Sequence, residues 1–298
     1  MRVLITGAHG QVGHELLQRV PVGFEVFGHG SQDLDISNLG EVQAVFDIVQ
    51  PELVINAAAY TAVDKAESDV GRAYAVNAAG VGFLAVAAEN RSIPLLHIST
   101  DYVFSGAGDK PYTPDDITNP TCVYGLSKLA GEKLLLEQCS RHLILRTSWV
   151  FGAHGNNFVK TMLRLGGDRD TLFVVADQNG GPTSAGSIAD TLWALASIFQ
   201  REGRLGWGVY HYSGVPACNW HDFAKEIFTQ AVALGLLEKS PEVKAIATAD
   251  YPTPVKRPVW SVLDCEKLAD VHGLLTKTWA QELHAVLQQL QKLRSVKG

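Results

Sequence analysis

The stretch TGAHGQVG, residues 6–13, decides the fold expected of this chain. It joins RVLIT (2–6), an apolar run typical of a buried strand, to QVGHELLQRV (11–20), which has a helical pattern. Short apolar runs and longer helical patterns keep alternating through the first half. Further strands are predicted at 24–28, 52–59, 94–100 and 142–148, and helices at 38–49, about 65–90 and about 123–139. This alternation predicts an α/β fold, a Rossmann-type doubly wound parallel sheet covered on both faces.

Three glycines, Gly7, Gly10 and Gly13, are spaced three residues apart between the first strand and the first helix. Glycines at such positions permit a tight turn, close approach of the backbone to a pyrophosphate, and close packing of helix on strand. The helix N-terminus also presents free N–H groups and the positive end of its dipole to phosphates. We therefore predict a dinucleotide site here. The alternative is a glycine-rich turn without a ligand.

The second half of the chain is less regular. Helices are predicted near 157–166, 187–200, 220–237 and 277–294, and strands near 172–175 and 208–212. Segments rich in Pro and Gly, at 180–184 and 250–258, indicate loops over a site. We expect a smaller, mostly C-terminal α/β substrate domain beside the sheet. The predicted dinucleotide-binding domain comprises 1–147 plus about 187–212, and the substrate domain about 148–186 and 213–298.

Charge and cysteine content exclude several classes of protein. The net charge of −6 over 298 residues argues against nucleic-acid binding, which usually needs a basic face. The apolar runs fall short of the roughly 20 residues that span a membrane. The four cysteines are scattered without a CxxC pair, so neither a disulfide framework nor a zinc site is expected. We expect a cytoplasmic protein without a signal peptide, nucleic-acid partner or membrane partner.

The end of the second strand leaves the cofactor type open. A ribose-binding Asp or Glu is expected at that point in NAD-binding proteins, and an Arg in NADP-binding ones. The sequence there is FGHGSQDLD (27–35), with Asp33 and Asp35 several residues beyond the strand and no Arg. The residues alone therefore do not separate NAD from NADP.

Two further motifs place a candidate proton donor near the same edge of the sheet. STDYVF (99–104) ends the fourth strand, so Thr100 and Asp101 lie where ligands bind in doubly wound sheets. Tyr124 and Lys128 follow on the next predicted helix, four residues apart and therefore on one face. An adjacent ammonium lowers the pKa of a phenol, and a phenol so tuned can protonate a carbonyl oxygen while hydride reaches the carbon. The alternative is an exposed Tyr–Lys pair without chemistry.

The chain resembles the extended short-chain dehydrogenase/reductase superfamily and, within it, the dTDP-4-dehydrorhamnose reductase family. The resemblance covers nearly the whole chain and rests on TGAHGQVG, NAAAYTAVDKAE (56–67), NAAG (77–80), STDYVFSG (99–106), YGLSKLAGE (124–132), RTSWVFG (146–152), DQNGGPTS (177–184) and RPVWSVLDCEKL (257–268). DQNGGPTS and the combination of STDYVF with YGLSK are specific to this branch, whereas the glycine loop is not.

The resemblance implies roles for matching residues. Those implied at the cofactor are Gly7, Gly10, Gln11, Val12, Gly13, Asp35, Ile36, Ala58, Ala59, Tyr60, Tyr124 and Lys128. Tyr124, Lys128 and Thr100 are implied as catalytic, and Thr100, Asp101 and Trp149 as contacts of the sugar. Trp149 as plain core and Asp101 as a loop-orienting residue stay open. Arg257 suits recognition of a diphosphate, because a guanidinium binds phosphate in a bidentate manner; the alternative is a solvated surface Arg.

The implied activity is reduction of the 4-keto group of dTDP-4-dehydro-L-rhamnose to dTDP-L-rhamnose. NADPH is the implied cofactor, with NADH also accepted by many members. One alternative is a reductase of another nucleotide-linked 4-keto sugar. A second is a non-catalytic cofactor-binding regulatory subunit, like the beta subunit of methionine adenosyltransferase, since fold does not fix function.

A departure from the family concerns metal binding. Some members bind magnesium through Glu side chains at a dimer contact. Glu15 is present here, but Gly186 stands where a second Glu is expected. Magnesium needs several oxygen ligands, so we predict no metal site and no magnesium-bridged dimer. The sequence leaves a homodimer of another kind open.

Overall fold

The computed structural model describes residues 1–295. Its strands are β1 (Arg2–Thr6), β2 (Glu25–His29), β3 (Leu53–Asn56), β4 (Leu95–Thr100), β5 (His142–Thr147), β6 (Val150–Phe151), β7 (Thr171–Val175), β8 (Asn179–Gly180), β9 (Thr183–Ser184), β10 (Gly208–His211), β11 (Cys218–Asn219) and β12 (Glu242–Ile246). Its α-helices are α1 (Gln11–Gln18), α2 (Leu39–Val49), α3 (Val63–Ala66), α4 (Val70–Tyr74), α5 (Gly80–Glu89), α6 (Val123–Gln138), α7 (Phe158–Asp168), α8 (Ala185–Glu202), α9 (Trp220–Ala233), α10 (Glu266–His272) and α11 (Trp279–Ser295). A π-helical turn spans Ala75–Ala79, and 3₁₀ turns span Asp101–Val103 and Thr248–Asp250.

The central sheet has six strands in the order β10-β5-β4-β3-β1-β2, and every pairing is parallel. The chain leaves β1 toward one edge through β2 and returns to build the other edge from β3 onward. The strand order therefore reverses between β1 and β3, and ligands of doubly wound sheets bind at such a switch point. The predicted Rossmann-type fold is confirmed.

Successive residues of the strands point to opposite faces and supply two separate cores. On β1, Val3 and Ile5 join a cluster with Leu16 of α1 and Ile188 of α8. Leu4, between them, joins the opposite cluster with residues of α2 and α5. Because both faces are covered by helices, the inner strands read as unbroken apolar runs rather than alternating ones.

A second group of elements forms its own core beside the sheet. Its buried residues come mainly from α7, β7, α9 and α11, among them Val159, Leu172, Phe223 and Leu283. Two-stranded pairings β7–β12 (parallel) and β8–β11 (antiparallel) belong to this lobe. Between its two segments, α8 packs on the first sheet and β10 pairs with β5. The chain therefore leaves the sheet after β5, returns for α8 and β10, and leaves again.

The structure differs from the sequence prediction in the long helix expected at about 65–90. One short helix, α3, precedes a continuous stretch, Val70–Glu89, in which α4, the π turn and α5 follow one another. This stretch is long and apolar enough, by length and composition, to cross a membrane, although the sequence suggested no such run. However, 56% of its most apolar window is buried, and α5 packs against α2 and α6. A core helix of this kind passes the same test as a membrane span.

Apart from the two-residue strands, strand β12 and helix α10 were not predicted from the sequence. Strand β12 has two partly buried residues and three exposed ones, so it lacks a long apolar run. Helix α10 has seven residues and buries only Leu268. Both are defined by tertiary contacts, β12 by pairing with β7 and α10 by packing against β10.

A buried ion pair fixes α6 to the sheet. Arg146 on β5 donates two hydrogen bonds to Glu132 on α6, from Nη2 at 2.7 Å and from Nε at 3.0 Å. Their side chains are only 5% and 1% exposed. The Arg146 guanidinium also lies over the Phe104 ring, 5.1 Å from its centroid. Removing one partner leaves a buried charge uncompensated, which is costly.

We expect Arg146→Met to destabilise the protein by about 3–5 kcal/mol, because Glu132 loses its partner while it stays buried. The double substitution Arg146→Met with Glu132→Met is expected to recover much of that loss. Urea unfolding followed by circular dichroism measures both. Lys239→Met removes an exposed pair with Asp170 and serves as the control, with an unchanged midpoint. A single variant as stable as the wild type contradicts the prediction.

Candidate active site

The candidate residues of the sheet lobe lie close together at the carboxyl ends of the central strands. The glycine turn follows β1, Asp35 and Ile36 follow β2, Ala58 to Tyr60 follow β3, and Thr100 ends β4. Trp149 lies two residues after β5. Because the strands are parallel, their carboxyl ends share one edge of the sheet. Tyr124 and Lys128 approach it from the N-terminal half of α6.

The glycine turn leaves no space for side chains at two of its three glycines. Gly7 has a φ of +69°, and a Cβ there would lie 2.5 Å from the backbone nitrogen of Ala58. A Cβ on Gly13 would lie 2.1 Å from the Gly7 carbonyl oxygen. Gly10 precedes α1 and supplies no side-chain cap, so the first N–H groups of the helix have no side-chain acceptor. Such a turn suits the phosphates of a dinucleotide.

Asparagine side chains hold the loop that follows β3. The Asn56 Oδ1 accepts from the backbone N–H of Ala58 at 3.0 Å. Asn77, in the π turn, accepts from the Tyr60 N–H at 2.8 Å and donates to the Tyr60 carbonyl at 3.0 Å. It also donates to the Ser127 hydroxyl on α6 at 3.0 Å. Asn77 therefore links this loop to the helix that carries Tyr124 and Lys128.

Several predicted cofactor residues have side chains engaged within the protein. Asp35 accepts from Ser37 and is ion-paired with Arg72 at 3.0 Å. Ile36 is 3% exposed and belongs to the core. The Gln11 side chain accepts from Asn157 of the second lobe at 2.9 Å. Ala59 lies in the loop after β3, and Val12 lies in the first turn of α1, on either side of the switch point between β1 and β3. We therefore expect these residues to contact a ligand mainly through their backbone atoms.

Tyr124 and Lys128 are both on α6 and both buried, at 8% and 2% exposure, which rules out the alternative of a solvent-exposed pair. Lys128 Nζ donates to the Ile98 carbonyl at 2.7 Å. Burial raises the pKa of the Tyr124 phenol well above its ordinary value, and hydrogen bonding with Thr100 offsets only part of this effect. Burial lowers the pKa of Lys128 to about 8. The Tyr124 pKa thus moves opposite to the direction expected from a neighbouring ammonium.

Asp101 is a second buried acid in the site. It is 4% exposed, and its Oδ1 accepts from the Thr100 hydroxyl at 3.0 Å. Its Oδ2 is buried without a hydrogen-bond partner. Burial raises the pKa of Asp101 to about 7, although contacts with Thr100 and Ser261 act in the opposite direction. Its carboxyl therefore stays largely protonated below neutral pH.

A cleft of about 1020 Å³ separates the sheet lobe from the second lobe and is lined by Asp101 and Tyr102 on one side. On the other side, Trp149 stacks on Trp220 with centroids 3.6 Å apart and planes 9° apart. Trp149 has a φ of +47°, an unfavourable backbone conformation for a non-glycine residue. Arg257 also lines the cleft, where it is paired with Asp64 at 2.5 Å and donates to the Tyr102 hydroxyl at 3.3 Å.

The two positions related to metal binding lie beside an arginine. Glu15, 3% exposed, is ion-paired with Arg19 at 2.9 Å, and Arg19 also contacts Asp190 at 3.2 Å. A Cβ on Gly186 would lie 2.7 Å from the Arg19 guanidinium. Among residues 1–295, no three His, Cys, Asp or Glu side chains are grouped to hold a metal ion.

Comparison with known proteins decides the family. The family model described as RmlD substrate binding domain matches residues 1–292. A dTDP-4-dehydrorhamnose reductase from Aggregatibacter actinomycetemcomitans is 48% identical over 284 residues, 95% of this chain and 97% of that protein. The chain belongs to the dTDP-4-dehydrorhamnose reductase family. It is therefore an enzyme of the oxidoreductase class, and the resemblance drawn from its motifs is confirmed.

Solved structures of this family have the same fold over almost their full length. A dTDP-4-dehydrorhamnose reductase from Clostridium acetobutylicum is 39% identical, with a TM-score of 0.90 over 98% of this chain and 100% of that one. One from Bacillus anthracis, solved in complex with NADP, is 35% identical, with a TM-score of 0.89 over 97% and 99% of the two chains. The reductase fold thus extends through both lobes of this chain.

Sequence reasoning assigned no role to several residues that shape the site. Asn56 and Asn77 lie inside quoted motifs, yet their hydrogen bonds appear only in the fold. His97 contacts Lys128, and Trp220 stacks on Trp149, so both act through residues distant in sequence; Trp220 had no signal in the sequence. The available signal for a buried polar contact was a polar residue inside an apolar run: Asn56 in LVIN and His97 in LLHIST. A buried polar residue in a strand needs a partner.

The raised pKa of Asp101 predicts a specific pH dependence of stability. The Asp101 carboxyl binds its proton more tightly in the folded protein than in the unfolded chain, where it titrates near pH 4. The stability that this protonation contributes is therefore complete below about pH 4 and is lost as pH rises to about 7. Over that window, Asp101→Asn should gain stability relative to the wild type by roughly 1.4 kcal/mol per pH unit. Urea unfolding between pH 4 and 8 measures this. Asp109→Asn, at an exposed carboxyl, is the control. Parallel curves for the wild type and Asp101→Asn would refute it.

Proposed function

We propose that this enzyme reduces the 4-keto group of dTDP-4-dehydro-L-rhamnose to form dTDP-L-rhamnose, with NADPH as cofactor and NADH also accepted. Its membership of the reductase family and the NADP complex of its Bacillus anthracis relative support the substrate and the cofactor. The observation that carries the chemistry is the burial of Thr100, Tyr124 and Lys128 behind Asp101 and Tyr102, which line the cleft between the lobes.

The glycine turn suits the pyrophosphate of the cofactor. The uncapped N-terminus of α1 offers N–H groups at Gln11, Val12 and Gly13, and the missing Cβ atoms at Gly7 and Gly13 keep the turn compact. The sheet lobe, 1–147 with about 187–212, would then bind the dinucleotide. The second lobe, about 148–186 with 213–298, would close over the nucleotide sugar.

When bound, the reduced nicotinamide supplies a hydride to carbon 4 of the ketone. Thr100 would hold the carbonyl oxygen, and Tyr124 would transfer its phenolic proton to that oxygen, so the ketone gains one hydride and one proton. The raised pKa of Tyr124 keeps the proton available up to alkaline pH. Asp101 and Trp149 would contact the sugar, and Arg257 would hold the diphosphate after exchanging its contact with Asp64 for the substrate.

Cofactor binding tests the role of the glycine turn. Gly13→Ala places a Cβ 2.1 Å from the Gly7 carbonyl oxygen, so the turn must open, and we expect the Kd for NADPH to rise at least about 10-fold. Isothermal titration calorimetry measures the affinity. Gly71→Ala is the control, because a Cβ there meets nothing within 4 Å. Equal affinities of Gly13→Ala and the wild type would argue against a pyrophosphate at this turn.

Turnover tests the reaction and the proton donor together. We expect Tyr124→Phe to lower kcat at least about 100-fold, because general acid catalysis is lost while the ring remains. NADPH oxidation at 340 nm with enzymatically prepared dTDP-4-dehydro-L-rhamnose provides the measurement, and calorimetry checks that the variant still binds NADPH. A wild type that binds NADPH without turning over this sugar would favour another 4-keto sugar or a regulatory role. Full activity of the variant would exclude Tyr124 as the donor.

A further inference from the structure

Trp149 has an unusual backbone conformation in the wall of the cleft. It lies two residues after β5 and has a φ of +47°, in the left-handed region that disfavours residues with a bulky side chain. Such a conformation persists only where the surrounding contacts outweigh its strain. The proposed function gives Trp149 a contact with the sugar, but it does not explain what holds the indole in place.

Hydrogen bonds of neighbouring residues fix the main chain around Trp149. The hydroxyl of Ser148, which is buried, donates to the Gly181 carbonyl at 2.8 Å. The Trp149 carbonyl accepts from the Thr183 N–H at 3.2 Å, and the next two residues, β6, pair with β9. These contacts act on the backbone, so the position of the Trp149 ring needs a separate cause.

Two residues of the second lobe contact the ring itself. The Trp220 indole lies parallel to it, with centroids 3.6 Å apart and planes 9° apart. A Cβ on Gly180 would lie 2.5 Å from Cε2 of Trp149, so the absence of a side chain there leaves room for the ring. The antiparallel pairing of β8 with β11 sets Gly180 opposite Cys218, two residues before Trp220. One short ladder therefore places both residues that contact the ring.

Trp220 is fixed by the second lobe in turn. It is the first residue of α9, and Asn219 caps that helix by accepting from the Asp222 N–H at 2.8 Å. The Phe158 ring packs against the Trp220 indole, with centroids 4.6 Å apart. Trp220 is also packed against the buried core of the second lobe. It therefore connects the ring of Trp149 in the cleft to the interior of that lobe.

We propose that Trp220 is a positioning residue for the sugar, because its stacking holds the Trp149 indole in the orientation that contacts the sugar of the substrate. A ring that is ordered before binding loses little side-chain entropy when the ligand arrives. Its apolar surface suits the C–H groups of a 6-deoxy sugar. The inference rests on the proposed function for the identity of that sugar.

The position of Trp220 predicts an effect on the sugar rather than on the nucleotide. Trp149 and Trp220 line the cleft together, whereas the diphosphate is assigned to Arg257, which is held by Asp64 and Tyr102. Loss of the stack leaves the contacts of Arg257 intact. A ligand without the sugar should therefore bind equally well with and without Trp220.

The protein without ligands supplies the first test. Two stacked indoles couple their electronic transitions and give circular-dichroism bands of opposite sign in the far ultraviolet. We expect this couplet in the wild type and its loss in both Trp149→Phe and Trp220→Phe. Trp207→Phe, which changes an indole packed against the core of the sheet lobe, is the control and should keep the couplet. A couplet that persists in Trp149→Phe or Trp220→Phe would overturn the proposal.

Calorimetric titration in the presence of NADP⁺ then separates the sugar from the nucleotide. In Trp220→Ala we expect the Kd for dTDP-L-rhamnose to rise at least about 10-fold, because the Trp149 ring is no longer ordered before binding. The Kd for dTDP, which lacks the sugar, should change less than about twofold. Equal losses for the two ligands, or no loss for either, would overturn the proposal.

Two further variants show whether stacking is the cause. Trp220→Phe keeps a ring that can stack on Trp149, so its Kd for dTDP-L-rhamnose should lie between those of the wild type and Trp220→Ala. Gly180→Ala displaces the Trp149 ring without changing Trp220, so it should show the same selective loss and remains informative if Trp220→Ala folds poorly. A Phe variant as weak as the Ala variant would exclude stacking as the cause.

Turnover supplies the catalytic readout. Trp220→Ala should raise KM for dTDP-4-dehydro-L-rhamnose at least about 10-fold and change kcat less than about threefold, whereas Tyr124→Phe lowers kcat. A lower kcat with unchanged KM would overturn the assignment of Trp220 to sugar positioning. A wild type that binds dTDP-L-rhamnose without reducing the keto sugar would instead defeat the proposed function, and the titrations would still decide the role of Trp220.

Discussion

The parallel register of β1, β3 and β4 is the constraint on which the site depends. It sets Thr6 opposite Asn56 and Asn56 opposite His97, so that three polar side chains share the face of the sheet on which α6 packs. The period of a strand is two residues, so a slip of one residue would send each of them to the other face. The same register aligns the carboxyl ends of the strands, from which the glycine turn, the loop after β3 and Thr100 emerge.

Burial, rather than pairing of opposite charges, dominates the electrostatics of this edge. Tyr124, Asp101 and Lys128 are all at least nine-tenths buried, and for each of them desolvation is the largest influence on the pKa, always toward the neutral form. Arg146 and Glu132, which are also buried nearby, form an ion pair with each other.

The features of the site that depend on residues close together in the chain can be predicted from the sequence. The glycine spacing, the strands of the first half, and the Tyr124–Lys128 pair on one helix face are set by residues close in the chain, and the fold confirms the elements they predicted. The direction in which the pKa of Tyr124 shifts could not be predicted from the sequence, because it depends on how completely the second lobe and the loops exclude water. Arg19 over Gly186, Trp220 on Trp149, and β12 beside β7 likewise join residues that are tens of positions apart or more.

The same reasoning explains why a histidine stands in the middle of an otherwise apolar strand. A Val or Leu at position 97 would suit the core and spare the desolvation of an imidazole, yet it would leave the Asn56 NH₂ group unpartnered in the interior, at a cost of about 1–3 kcal/mol. Asn56 in turn is needed where it is, because the N–H of Ala58 and the Thr6 hydroxyl converge on its oxygen at the switch point of the sheet. Thr6, Asn56 and His97 therefore join the turn that suits a dinucleotide to the helix that carries the proton donor, through hydrogen bonds whose direction is fixed at the backbone of Ala58.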